Sequence, residues 1–347
     1  MIPKLRFSEF QDDFKADKLG HLITSFSGGT PSASNKAFYD GDIPFIKSGE
    51  INDAQTEQFI NEIALAKSSA KIVNKGDLLL ALYGATSGEI AISKLEGAIN
   101  QAVLCIRSER LNLEYLKFWF ELNKGKILRK YLQGGQGNLS ASIVKSLSIL
   151  YPSLNEQIKT ATVLKSVDQK INLLTKKKEA LETYKKGLMQ KIFSQELRFK
   201  DEDGTDYTEW DTHYVAELGE FFNGLSGKNS SHFGHGDSQY VQYSQVFRHS
   251  YIRIEECGNV EVDDSDKQHA LKVGDALFTT SSEVADEVAF ASILLIEPKI
   301  NTYLNSFCFG LRLNDLLTPS FAQYLFRTTT FRKAVSPLAQ GSTRYNV

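Results

Sequence analysis

The feature that most constrains this chain is that it runs through one programme twice, with a lysine-rich stretch between the two passes. The first pass opens at Leu5-Arg6-Phe7 and the second at Leu197-Arg198-Phe199. Each continues through an acidic stretch to Leu-Gly (Leu19-Gly20, Leu218-Gly219) and a small-residue turn (Ser27-Gly28-Gly29, Ser226-Gly227-Lys228). Each then shows a Gly-Asp turn ahead of an apolar strand (Gly76-Asp77-Leu78, Gly274-Asp275-Ala276) and an Asn before an apolar run (Asn100-Gln101, Asn305-Ser306). An aromatic helix follows (Tyr115 to Leu122, Phe321 to Phe326), then a Gln/Gly-rich loop with an Asn and an aliphatic residue (Asn138-Leu139, Asn346-Val347). The offset grows from 192 (Leu5 to Leu197) to 208 (Leu139 to Val347), so the second copy carries small insertions. Units this large hold their own cores, which excludes a short-period solenoid.

The coarse pattern predicts an α+β fold of two tandem homologous mixed α/β modules joined by a long coiled-coil helix. In the first module Pro44 to Ile46, Leu78 to Leu82 and Ala102 to Ile106 read as strands, Leu113 to Lys130 as a helix, and Val144 to Ile149 as a closing strand. In the second, Tyr240 to Tyr243, Ala276 to Thr280, Ala289 to Ile296 and Phe307 to Leu313 read as strands, followed by a helix from Pro319 to about Val335. Between them, Asn155 to Phe193 holds no Pro and only Gly187. Leu164, Val167, Ile171, Leu174, Leu181, Leu188 and Ile192 fall on an a/d heptad there. Such a helix would be about 58 Å long. A stiff linker needs no apolar seam, so the seam points to a partner helix. The expected domains are 1–152, the helix 153–195, and 196–347.

The overall charge of −2 conceals an uneven distribution. Residues 1–154 carry 18 Lys/Arg against 16 Asp/Glu, residues 155–200 carry 11 against 5, and residues 201–347 carry 11 against 21. An acidic second module is awkward for nucleic-acid binding, where phosphate contacts supply much of the affinity. Three cysteines (Cys105, Cys257, Cys308) have no paired spacing, and Cys105 and Cys308 fall at corresponding places, which reads as buried thiols in a reducing, cytoplasmic setting. No apolar run approaches the roughly 20 residues that span a bilayer.

Catalytic equipment is not evident. No phosphate-cradling GxxxxGK[ST] loop is present, and Gly84-Ala85-Thr86-Ser87-Gly88 reads as a hairpin turn. None of the seven prolines are adjacent, so there is no Asn-Pro-Pro-aromatic tetrapeptide of the kind that holds a flipped adenine. His232 and His235 lie in a Gly/Ser-rich loop without a metal-ligand pattern. Asp77, Glu89 and Lys94 superficially suggest a nuclease, but the second copy has Ala291-Ser292-Ile293 in place of the Lys context, so a Gly-Asp turn is the better account. A reader remains. The first copy offers Thr30, Ser32, Lys47, Ser48, Tyr83, Thr86, Ser87, Asn100, Gln101, Gln133, Gln136 and Asn138. The second offers Lys228, Asn229, Tyr240, Gln242, Tyr243, Gln245, Arg248, Thr280, Ser281, Ser282, Asn305, Gln340, Ser342, Thr343 and Arg344. Asn and Gln suit adenine, Arg and Lys suit guanine, and hydroxyls suit phosphates.

The duplicated module, the Pro152-Ser153-Leu154-Asn155-Glu156-Gln157 lead-in to a heptad helix, and the ending Gly341 to Val347 together resemble the specificity subunit of a type I DNA restriction–modification system. The resemblance covers essentially the whole chain. It implies that each module is a target recognition domain reading half of a bipartite DNA site. It implies that central and distal helices pair as a ruler and dock two modification (methyltransferase) subunits, with restriction subunits joining through the complex. It implies no catalytic residue, cofactor or metal in this chain: S-adenosylmethionine, and ATP with Mg in restriction, belong to the partners. Against the family pattern the second module stops before its closing strand and distal helix. The seam is therefore expected to pair with another chain, a second copy in a homodimer or a modification subunit. A truncated cassette acting as recombination donor or inactive partner, and a coiled-coil scaffold without a DNA role, remain as alternatives.

Overall fold

The structure is a computed structural model and describes residues 5–131, 138–263 and 265–347. The chain divides into two compact units, Met1–Thr175 and Lys176–Val347, with the boundary inside the long helix.

The first unit contains β1 (Lys15–Lys18), β2 (Thr24–Ser27), β3 (Ile43–Ile46), β4 (Phe59–Ile60), α1 (Glu62–Ala66), β5 (Lys71–Val73), β6 (Leu78–Ala81), β7 (Ile90–Ile92), β8 (Gly97–Ile99), β9 (Val103–Arg107), α2 (Leu113–Tyr131), α3 (Ala141–Ser146) and β10 (Ser148–Tyr151). The helix α4 (Leu154–Phe193) follows, 40 residues long. β6 is Leu-Leu-Leu-Ala, buried throughout. An uninterrupted apolar run of that length suits a strand covered on both faces, and β6 sits inside the order β2-β9-β6-β7. Its side chains alternate between two cores: Leu78 and Leu80 join Leu116 and Phe120 of α2, while Leu79 joins Ile46, Val73 and Ile99 of the second sheet. That second sheet has the order β4-β3-β8-β5, with β3 and β8 parallel.

The second unit contains β11 (Gly219–Asn223), β12 (Phe233–Val241), α5 (Tyr243–Arg248), β13 (Gly258–Val260), β14 (Ala276–Thr279), β15 (Ser281–Ser282), β16 (Ala291–Ile293), β17 (Thr302–Leu304), β18 (Cys308–Leu313), α6 (Pro319–Leu325), α7 (Thr329–Val335) and β19 (Tyr345–Asn346). Its central sheet, β11-β18-β14-β16, repeats the first unit's plan in register. Leu78 faces Ile92 and Ile106; Ala276 faces Ile293 and Leu311. The parallel pair β3–β8 recurs as β12–β17. Among the described residues β5 has no strand counterpart; the Leu271 amide bonds to the Thr302 carbonyl there. β1, which pairs with β10 in the first unit, is matched by Asp211 to Tyr214, which lie in no strand.

The shared register corrects several expectations. Thr24 and Phe26 face Arg107 and Cys105, whereas Glu220 and Phe222 face Arg312 and Gly310. Phe26 therefore matches Phe222, and the matching turns are Gly28 and Gly224, three residues before the Gly227 chosen from sequence. Both glycines are required by contact: a Cβ would stand 1.8 Å from the Ile99 carbonyl oxygen at Gly28 and 2.1 Å from that of Asn305 at Gly224. Likewise Cys308 matches Val103, while Cys105 matches Gly310; the two thiols share a sheet face but not a position. Val144 lies in helix α3 because Ser140 caps it, accepting from the Ile143 amide, and the closing strand starts only at Ser148. The expected helix Pro319 to Val335 breaks in two because Thr328 caps α7, its hydroxyl accepting from the Phe331 amide. Tyr243 starts α5 and ends no strand. The expected strand Ala289 to Ile296 shrinks to Ala291–Ile293, with Ala289 at φ +50°.

The start of α4 is stitched to the first unit. Glu156, 3% exposed, receives Arg6 through Nε and Nη2, both at 2.8 Å. Gln157, 1% exposed, accepts from the Asn112 amide and donates to the Pro152 carbonyl. Beyond Ala161 the exposure changes sharply. Leu164, Val167, Ile171, Leu174 and Leu181 are 39–56% exposed, while Leu188 and Ile192 are half-buried. No helix among the described residues is long and apolar enough to cross a membrane.

Candidate nucleic-acid interface

Several side chains proposed for DNA contact make bonds that hold the fold. Asn100 accepts from the Ala102 amide and Asn305 from the Phe307 amide, so this matched pair forms twin turns that set up β9 and β18. Ser87 is buried and donates to the Leu82 carbonyl. Gln245, 3% exposed, accepts from the Arg253 amide. Lys228 buries its stem and donates to Asp266 at 2.5 Å, and this hydrogen bond, with one from the Asp263 amide, holds the Asp266 carboxyl below its usual range. Its charge is spent within the protein. Asn229 caps a short turn at Ser230 to His232. Asp77 and Asp275 each take a two-pronged grip from an arginine, Arg107 and Arg312, and each also accepts an amide three residues back. The carboxylates are turn anchors. For Asp77, burial works to raise the pKa, but the Arg107 and Asn74 hydrogen bonds outweigh it and hold the carboxyl low. Burial pushes the Cys105 and Cys308 thiols up to about 12, which suits inert core residues.

Other candidates do converge. In the first unit Thr30 donates to Gln101 Oε1 at 2.6 Å and Tyr83 donates to the Gln101 carbonyl at 2.7 Å. Three loops, following β2, β6 and β8, thus meet at Gln101. Ser32 hydrogen-bonds Ser34 and Thr86 lies in the hairpin turn after β6. Lys47 and Ser48 form the turn after β3, where Glu50 gathers the amides of Lys47 and Glu57 and the Thr56 hydroxyl. Asn138 is exposed; Gln133 and Gln136 lie outside the described residues.

In the second unit the convergence forms a cleft of about 680 Å³, lined by Tyr243, Ser281, Ser282, Thr343 and Arg344 together with Phe247, Glu283 and Glu287. β19 builds one wall by pairing with β15, Ser281 opposite Asn346. Gln340 closes that loop through backbone bonds to Asn346, and Ser342 lies exposed within it. Tyr243 stacks on Phe247 at 6.2 Å and donates to the Ser281 carbonyl; burial raises its phenol, which stays protonated. Thr280 is tied through its backbone to Phe307 and Val347. Arg248 is exposed, Gln242 precedes α5, and Tyr240 packs on Phe233. Sequence reasoning missed Phe247, Glu283 and Glu287. Nothing in their local spacing marks them, because the cleft is assembled by pairing across 60-odd residues of chain. Among the described residues no group of three or more His, Cys, Asp or Glu could hold a metal ion.

Two units of one strand plan, each gathering polar loops from distant segments, make this a tandem-repeat protein with a candidate surface on each unit. Residues 11–183 match the family described as type I restriction modification DNA specificity domain. The chain is 31% identical over 235 residues to the type I restriction enzyme MjaIX specificity subunit of Methanocaldococcus jannaschii, covering 63% of this chain and 54% of that one. It is 25% identical over 224 residues to the MjaVIII specificity subunit of the same organism, covering 62% and 51%. In fold it is similar to the type I restriction–modification S subunit from M. genitalium, with a TM-score of 0.54 at 13% identity, over 97% of this chain and 82% of that one. The chain belongs to the type I restriction–modification specificity subunit family. It spans about half the length of the M. jannaschii relatives it matches.

Proposed function

We propose that this chain is the DNA sequence-recognition subunit of a type I restriction–modification complex, each unit reading one half of a bipartite site. What carries the reading is the repeated register: two sheets built alike (Leu78 opposite Ile92 and Ile106, Ala276 opposite Ile293 and Leu311) present different loops at matched places. A constant frame with variable loops is what reading two different half-sites requires. On this reading the chain is non-catalytic. S-adenosylmethionine, and ATP with Mg, belong to two modification subunits and to restriction subunits that join the assembly. Sequencing adenine methylation in cells carrying this chain with its modification subunit should reveal a new bipartite mark. An assembled complex that leaves no mark would instead favour an inactive cassette.

The exposed seam of α4 supports pairing with another helix, from a modification subunit or from a second copy of the chain. Five a/d side chains standing 39–56% exposed cost little in isolation, yet no partner covers them within the described residues. Ile171→Asp is expected to leave stability of the free chain within about 0.5 kcal/mol but to abolish assembly, read by light scattering of the mixed subunits. Unchanged assembly would remove the seam from the interface.

A further inference from the structure

The cleft of the second unit combines donors and acceptors in a selective way. Its lining offers one guanidinium, two carboxylates and three hydroxyl residues besides Tyr243, but no amide side chain. Arg344 is fixed before any ligand arrives: Nε donates to Ser281 Oγ at 3.0 Å, and the guanidinium stands 5.6 Å from the Phe307 ring centroid. That bond uses Nε alone and leaves the two terminal nitrogens without a partner among the described residues. Glu287 is fixed likewise, accepting from Ser282 Oγ at 3.2 Å. Arg344 and the two carboxylates share the cleft without forming an ion pair among the described residues. Each presents unspent hydrogen-bonding capacity to whatever enters.

We infer that this cleft reads a G·C base pair in one half-site, Arg344 donating to guanine O6 and N7 and Glu287 accepting from the cytosine N4 amino group. The major-groove edge of that pair offers two acceptors beside one donor, which a fixed arginine and a neighbouring carboxylate match. An A·T pair would call for an amide on adenine, and none lines the cleft. A backbone phosphate would suit Arg344 alone, but Glu283 and Glu287 would repel it. The inference rests on the reading of this chain as a DNA-recognition subunit and adds which base pair one cleft selects.

The test is selection from duplexes with both half-sites randomised, using the full chain assembled with its modification subunit. The wild-type assembly should enrich a bipartite sequence with G·C at one position that responds to this cleft. Arg344→Gln, at an exposed residue, should lower that preference about tenfold or more and leave every other position unchanged. Glu287→Gln should weaken the same position, and Arg344→Lys should retain part of the preference. Loss spread equally over all sequences, with a shallower salt dependence, would assign Arg344 to a phosphate and overturn the inference. So would an unchanged profile, or a responding position that proves to be A·T. Enrichment of no sequence by the wild-type assembly would sink the recognition reading itself, and this inference with it.

Discussion

Each unit has its own copy of the same four-stranded sheet plan, and the two copies are fastened differently. In the first, the hairpin after β6 is held by α2, whose Lys124 reaches Glu89 at 2.5 Å with both side chains part exposed. In the second, the residue matched to Glu89 is Phe290, because Ile90 and Ala291 occupy the same register opposite Leu80 and Phe278. Two arginines flank that ring, Arg327 at 5.2 Å and Arg332 at 4.8 Å. Arg327 donates to the carbonyls of Val246, Phe247, His249 and Ala291, and Arg332 to those of Asp286, Val288 and Ala289. Burial, then the charge of Arg332, lowers Arg327 to about 10, so it stays protonated at neutral pH. The difference teaches that the core pattern sets strand register, while the outer fastening drifts between a screened ion pair and a half-buried cation. The second device grips main chain only. It can therefore hold the end of α5 (246–249) and the segment 286–291, whose Phe247 and Glu287 line the cleft, while their side chains change.

The largest effect should come from removing that half-buried cation. Arg327→Met takes the donor from four carbonyls at once and should cost the second unit about 3 kcal/mol or more. The chain has two tryptophans, Trp119 in the first unit and Trp210 in the second, where it packs on Phe193 and Phe321. Denaturation followed in Trp119→Phe and Trp210→Phe backgrounds reads each unit separately. Equal movement of both transitions would mean the arginine does not act locally. A matched pair of changes sharpens the comparison next. Asp275 is 1% exposed at its side chain and Asp77 10%, each gripped by a part-exposed arginine. Asp275→Asn should cost about 2 kcal/mol and Asp77→Asn about 1. For Asp77 the sign in pH follows from its lowered pKa. Its contribution is present above the unfolded value of about 3.9 and is lost as pH falls through the lower folded value. Asp77→Asn should therefore flatten the loss of first-unit stability on acidification below about pH 4, and an unchanged slope would refute the anchor role.

Much of this frame is legible in the sequence. The duplication follows from Gly76-Asp77 and Gly274-Asp275, since a turn needing positive φ (98° and 95°) keeps its glycine. The helix α4 follows from a heptad sustained from Leu164 to Ile192, with Lys178 and Lys185 at intervening a positions, in a stretch without Pro. Small residues misled the alignment at Ser226-Gly227, because Gly28 and Gly224 are fixed by a carbonyl contact that spacing does not reveal. The break between α6 and α7 was hidden because Thr328 is neutral in a helical pattern until its hydroxyl caps the next turn. The candidate surface was legible only in part. Polar loop residues look alike on paper, and only folding separates Lys228, consumed by Asp266, from Arg344, whose fork stays open. Arg327 and Arg332 were invisible for the opposite reason: an arginine beside a threonine run reads as solvated surface.

The smallest effect belongs to the first unit's fastening, and it decides whether the contrast is real. The Lys124 and Glu89 side chains are 32% and 47% exposed, so water and salt screen their attraction, and holding both side chains in place costs rotamer entropy. Lys124→Met keeps the aliphatic stem that packs beside Gly88 and removes only the charge. The change should move the first unit by no more than about 0.5 kcal/mol, with the difference shrinking further in 1 M salt. Should Lys124→Met instead cost the first unit as much as Arg327→Met costs the second, the two fastenings would be energetically equivalent. The half-buried cation would then need no explanation from the segments it holds.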